Sequence, residues 1–237
     1  MKWIPITLVA LVLGSSFPAT ALDVGIMNGS FYTYDAQIYL ESQPDMNVST
    51  FSSCGMGNIG SYDVILVYGN GCWDTAAFDS YVDQGGGIVA TPWGMNFNSN
   101  EPYFPYSFGG NSTHYADPLN VTITDPNDFM LDGVIPVLGD SVGWEDGIGT
   151  TLRAGTVAPA EHASSTPLVA YWEYGFGRTV YLNLHYITSD CDVAAAYPWG
   201  QQLLANAIRW AGGIDPCDGV DLDGDGWTDC DDDCDDG

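Results

Sequence analysis

Apolar and polar residues divide the chain into strand-sized runs separated by helix-sized ones. Leu22 to Met27 is a short apolar run that stops at the turn pair Asn28-Gly29. Tyr34 to Ser42 reads as a helix closed before Pro44, and Met46 to Phe51 as a second strand. Asp63-Val-Ile-Leu-Val-Tyr68 is a continuous β-branched run, the pattern of a strand buried on both faces of a parallel sheet. After Gly69-Asn70-Gly71, Asp74 is placed to cap a helix that reaches Gln84. Gly85-Gly86-Gly87 stops that helix, and Ile88 to Thr91 is a further buried strand. Pro92 to Pro118 breaks the alternation with aromatics (Phe97, Tyr103, Phe104, Tyr106, Phe108) among Gly, Pro and Asn. Leu119 to Pro159 reads as short strands and turns, an inserted or flanking β segment, and Glu161-His162 as a solvated turn. Pro167 to Tyr174 and Arg178 to Leu184 are strands joined by Gly175-Phe176-Gly177, and Trp199 to Trp210 is an amphipathic helix ended by Gly212-Gly213.

This alternation predicts an α/β fold: a doubly wound, mostly parallel, flavodoxin-like sheet with helices on both faces. Ligand crevices in such sheets lie beyond the carboxyl ends of the strands.

Composition adds a charge problem. Apolar residues are 46% of the 237, enough for a packed core. The net charge is −27, with 4 Lys and Arg against 31 Asp and Glu. That excludes nucleic acid and an anionic membrane surface as partners and makes cations the natural ones. Eleven of the acids are aspartates within 215–237, a stretch without a base, so the fold and the tail need separate explanations.

Residues 1–21 read as a secretory signal peptide: Lys2, an apolar run from Ile4 to Leu13, and Ala19-Thr20-Ala21 as a cleavage site. The mature chain carries no run long enough to span a bilayer. The expected plan is therefore a signal peptide over 1–21, an α/β domain over 22–213 and an acidic tail over 214–237, with a secreted or cell-surface location. In an oxidising compartment Cys54, Cys72, Cys191, Cys217, Cys230 and Cys234 favour disulfides. Cys54 with Cys72, and Cys217 with Cys230 or Cys234, are candidate pairs that the sequence does not decide between.

Several segments carry a family resemblance. They are Tyr62 to Gly69, Phe78 to Ala90, Asp125-Pro-Asn-Asp-Phe-Met-Leu-Asp-Gly133, Trp172 to His185 and Ala207 to Gly213. Their order resembles the class I glutamine amidotransferase-like superfamily and, within it, the ThuA-like (trehalose utilisation) domains. The resemblance implies a nucleophilic Cys on the turn after the strand ending at Thr91, a His near the end of a late strand, and an acid two residues beyond it. Here the turn reads Thr91-Pro92-Trp93-Gly94-Met95, His185 stands at the histidine position, and Ile187 replaces the acid. Without an attacking atom acyl transfer has no first step. A runner-up catalytic pair is Cys72, at the start of the second helix where the helix dipole would lower a thiol pKa, with His185 as its base. The competing reading of Cys72 is a disulfide with Cys54. Trp93, Asn96, Tyr103 and His185 form a candidate ligand site at the strand ends, where aromatic faces and amides suit a sugar; the aromatics serve equally as loop packing.

The tail carries the most regular chemistry. Asp221, Asp223 and Asp225, followed by Gly226, have the D-x-D-x-D-G spacing of a calcium loop. The Trp227 carbonyl, Asp229 and Asp232 would complete an oxygen shell, and hard oxygen donors without His favour Ca²⁺ over transition metals. The segment resembles thrombospondin type 3-like or dockerin-like calcium repeats, and Asp231, Asp233 and Asp235 read as the start of a second loop. The functional expectation is a secreted calcium-binding protein with a catalytically degenerate domain, acting in binding or display toward a carbohydrate or cell-surface partner. A secreted hydrolase using Cys72, Trp93 and His185, and a surface-assembly subunit, are the alternatives.

Overall fold

The structure is a computed structural model that describes residues 21–28, 34–52, 56–67, 74–91, 101–107, 113–114, 120–134, 145–146, 151–162, 166–184 and 198–214. The signal-peptide segment 1–20, all six cysteines, Trp93, Asn96, His185 and the whole tail from 215 lie outside the described residues.

The chain begins β1 (Leu22–Asn28), α1 (Tyr34–Glu41), β2 (Met46–Ser52), a 3-10 turn (Met56–Ser61), β3 (Val64–Val67), α2 (Thr75–Asp83) and β4 (Gly87–Ala90). Short strands follow: β5 (Tyr106–Ser107), β6 (Thr113–His114), β7 (Val121–Ile123), β8 (Glu145–Asp146) and β9 (Thr151–Leu152). A 3-10 turn (Phe129–Leu131) sits among them, and β10 (Val157–His162), β11 (Pro167–Tyr174), β12 (Gly177–Leu182) and α3 (Pro198–Ala211) close the fold.

Among the described residues, eight strands form one sheet in the order β2-β1-β3-β4-β12-β11-β10-β7. The pairs from β2 to β12 are parallel; those among β12, β11, β10 and β7 are antiparallel. The parallel half has the 2-1-3-4-5 order of flavodoxin-like folds, with β12 in the fifth place. The expected α/β class is therefore the observed one.

Side chains along each parallel strand go alternately to the two faces, as the pleat requires. Val24, Ile26, Val64, Leu66, Val89, Val180 and Leu182 pack under α1 and α3. Met27, Ile65, Val67, Ile88, Ala90 and Tyr181 pack under α2 and the segment 101–107. Helices thus cover both faces. Asp74 caps α2 as its sequence position indicates, accepting from the Ala77 amide at 3.1 Å. β4 begins at Gly87, inside the run read as a helix stop, because Gly87 pairs in register with Val64 and with Arg178.

Two expectations change. Glu161 and His162 belong to β10, and His162 is 2% exposed, so the solvated turn is an interior strand end. The β segment over 119–159 is only partly an insertion: β7 joins the main sheet as its edge, pairing Ile123 with Ala160 and Val121 with His162.

The three arginines of the fold all work inside it. Arg153 donates to the carbonyls of Phe104 and Glu101 at 2.8 and 3.0 Å and lies over the Trp172 ring. Arg178 lies over Trp210 and donates to its carbonyl at 3.2 Å. Arg209 grips Asp45 with two hydrogen bonds, 2.7 and 3.1 Å, and reaches Gln43, tying α3 to the entry of β2.

That last pair has a pH signature. Burial raises the Asp45 carboxyl, but the hydrogen bond and charge of Arg209 outweigh it, and the net effect holds it below the usual carboxylate range. A depressed folded-state pKa contributes stability that is present above the unfolded value and lost as pH falls through the folded one. Arg209→Met is therefore expected to lose about 1.5–3 kcal/mol at pH 7. Urea titrations of both proteins should show this gap closing below about pH 4, where Asp45 is protonated in the unfolded chain. A gap independent of pH would assign the effect to packing instead.

Candidate functional site

The carboxyl edge of the parallel sheet is the place to look, since β1 is followed to one side by β2 and to the other by β3, which opens a crevice between the connections. The exits are level: Met27 pairs with Val67, Val67 with Ala90, and Ala90 with Tyr181. Thr91 continues β4 as a buried residue whose amide donates to the Val67 carbonyl at 3.2 Å. Asn183 and Leu184 continue β12, both buried. Trp93 and His185 therefore come in the chain just after neighbouring strands, β4 and β12, and both residues lie outside the described ones. The same holds for Asn96 and for Cys72, which precedes α2.

Beside this edge is a buried polar cluster that sequence reading did not find. Asn183 Nδ2 donates to the Pro167 carbonyl at 2.9 Å, and Asn183 Oδ1 accepts from the Tyr181 hydroxyl at 3.1 Å. The Asn183 amide donates to the Leu168 carbonyl at 2.8 Å, and its carbonyl lies 3.0 Å from His162 Nε2. Every one of these groups is removed from water, so each bond avoids a desolvation cost of about 1–3 kcal/mol. The cluster fixes the backbone two residues before His185. Nothing in the local sequence announced it, because its partners come from three different strands.

Tyr103 is not part of an open crevice. It is fully buried, with its ring centroid 4.8 Å from Phe104 and 6.5 Å from both Phe78 and Tyr174. The segment 101–107 replaces a helix over β11 and β12, and side chains hold its carbonyls. Trp172 Nε1 and Thr179 Oγ1 donate to the Tyr103 carbonyl at 2.9 and 2.7 Å, and Thr156 Oγ1 donates to Pro105 at 2.6 Å. Its aromatics are therefore core, and Tyr103 is withdrawn as a ligand residue because its ring meets no solvent.

The Asp125–Gly133 segment, one of those carrying the resemblance, is also structural. Asp128 caps the 3-10 turn and accepts from the Tyr171 hydroxyl at 2.6 Å. Burial, and then the bond to Asp128 and its charge, push the Tyr171 hydroxyl far above the ordinary tyrosine range. Asn206 of α3 donates to the carbonyls of Met130 and Asp132.

The calcium-loop residues Asp221, Asp223, Asp225, Trp227, Asp229 and Asp232 lie outside the described residues. Among the described residues no group of His, Cys, Asp and Glu is arranged to hold a metal. No described helix is long and apolar enough to cross a membrane.

No family model matches the sequence, and no curated protein matches it. Solved structures do match the fold. A cytoplasmic protein from Salmonella typhimurium aligns with a TM-score of 0.63 at 11% identity, over 80% of this chain and 98% of that one. A ThuA-like protein from Parabacteroides merdae aligns at 0.55 and 16% identity, over 81% and 90%. A protein named as a GMP synthase component from Thermoplasma acidophilum aligns at 0.53 and 12% identity, over 82% and 96%. At these identities the likeness is one of fold, and it is the fold that the ThuA-like and amidotransferase-like resemblance implied.

Proposed function

We propose that the chain is a secreted calcium-binding protein whose amidotransferase-like domain has no amidotransferase chemistry and serves in extracellular binding or display. The observation that carries this reading is the exit of β4. Where the superfamily needs an attacking thiol, the sequence runs Thr91-Pro92-Trp93-Gly94-Met95. Acyl transfer needs a nucleophile, a base within reach of it and an orienting group. Of those three, the sequence supplies only His185 at its family position.

The calcium part of the proposal rests on donor chemistry. Asp221, Asp223, Asp225, Asp229 and Asp232, with the Trp227 carbonyl, are oxygen donors at loop spacing, and Gly226 permits the tight turn between them. Paired with a leader read at 1–21, this suits millimolar extracellular calcium.

Calorimetry on the full chain tests the calcium part, and incubation with glutamine tests the other. Ca²⁺ is expected to bind with Kd on the order of 10⁻⁴–10⁻³ M, and Asp223→Asn/Asp225→Asn to abolish the heat. Identical isotherms would remove calcium from the account. Incubation with glutamine is expected to release no ammonia. Release that disappears in Cys72→Ser would instead establish the hydrolase reading with Cys72 and His185.

A further inference from the structure

At the end of the sheet opposite the strand exits, a cleft of about 490 Å³ opens between the 3-10 turn Met56–Ser61 and the outer face of α2. Tyr62, Asp63, Ser80, Tyr81, Gln84 and Gly85 line it. Its size falls within the range of small-molecule sites. The fold gives it firm walls. Tyr62 stacks on Phe51 at 5.3 Å and lies over Gly25, where a Cβ would come within 2.7 Å of the ring. Tyr81 is held by its hydroxyl, which donates to the Tyr62 carbonyl at 3.1 Å.

The polar groups define the ligand. Asp63 Oδ2 accepts from the Asp23 amide at 2.8 Å, which fixes the carboxylate and leaves Oδ1 for a guest. Gln84 donates through Nε2 to Ser80 Oγ at 2.7 Å, which leaves the amide oxygen as an acceptor and the serine hydroxyl as a donor. Acceptors outnumber donors, no base lines the cleft, and the rings beside it are flat and apolar. Phosphates, sulfates and carboxylates would meet Asp63 without a counter-charge. A neutral molecule with many hydroxyls meets acceptors for its O–H groups and rings for its C–H faces.

We infer that this amino-edge cleft is a binding site for a neutral, hydroxyl-rich ligand of the size of one or two sugar units, with Asp63 and Gln84 accepting from its hydroxyls and Tyr62 lying against its apolar side. The site lies at the other end of the sheet from Leu184 and none of its lining residues belongs to the tail, so it goes beyond the calcium-binding reading and is tested separately from it.

Saturation-transfer NMR and calorimetry on the full chain provide the test, with cellobiose, maltose and diacetylchitobiose as probes in turn and glucose 1-phosphate as the anionic control. At least one neutral disaccharide is expected to bind, equally with calcium and with EDTA. Ser80→Trp fills the cleft from an exposed helix position and is expected to weaken binding at least tenfold. Thermal melting of the variant confirms that the fold is kept. Absence of binding by all three disaccharides, binding indifferent to Ser80→Trp, or equal binding of glucose 1-phosphate would overturn the assignment. Binding that requires calcium would overturn its separation from the tail.

Discussion

Gly177→Ala is expected to unfold the domain or to lower its stability by more than about 4 kcal/mol, the range reserved for changes the backbone cannot absorb. Gly177 opens β12 where the hairpin from β11 meets the end of α2. A Cβ there would lie 2.3 Å from the Val82 carbonyl oxygen and 2.4 Å from that of Gly86. Both contacts are backbone, so no rotamer change relieves them. Total stability for a domain of this kind is only about 5–15 kcal/mol. Gly60→Ala is the matched control: its Cβ meets nothing within 4 Å, and its cost should stay near the surface norm of about 0.5 kcal/mol. Urea unfolding followed by tryptophan fluorescence measures both. Similar midpoints for the two variants would mean that the helix end and the hairpin are not locked together as described.

Asn183→Leu is the second large effect. Leucine matches asparagine in branching and heavy-atom count, but the substitution strips the Pro167 carbonyl and the Tyr181 hydroxyl of a buried partner at once. At about 1.5 kcal/mol for each of the two buried bonds lost, the expected loss is about 3 kcal/mol. For a chain of this length that lowers Tm by about 6–12 °C. Combining it with Tyr181→Phe, which removes the hydroxyl that gave up this bond, should recover part of the loss. A double variant as unstable as the sum of its parts would show that the hydroxyl is satisfied by another route.

The sheet was legible in the sequence because its evidence is local. Val64 to Val67 is buried on both faces by its own composition, and Asp74 stands one residue before α2 whatever surrounds it. The segment 101–107 was read as crevice or loop because what makes it core lies far along the chain. Trp172, Thr179, Arg153 and Thr156 each donate to one of its carbonyls across about fifty or more positions. His162 was misread for a similar reason: adjacent to Glu161 it looked wet, and only pairing with β7 and contact with Asn183 take it inside. The cleft between the first 3-10 turn and α2 had no motif at all. It arises from Gly25 and Gly86 letting two tyrosine rings lie flat against the backbone.

The internal use of the three arginines has a practical consequence. Trypsin cuts after lysine or arginine, and from residue 3 onward the chain offers it only Arg153, Arg178 and Arg209. Each is pinned by its guanidinium to another part of the fold. Digestion at those bonds therefore requires the contacts around each arginine to open first, and the rate of fragment appearance reports that opening without a spectroscopic probe.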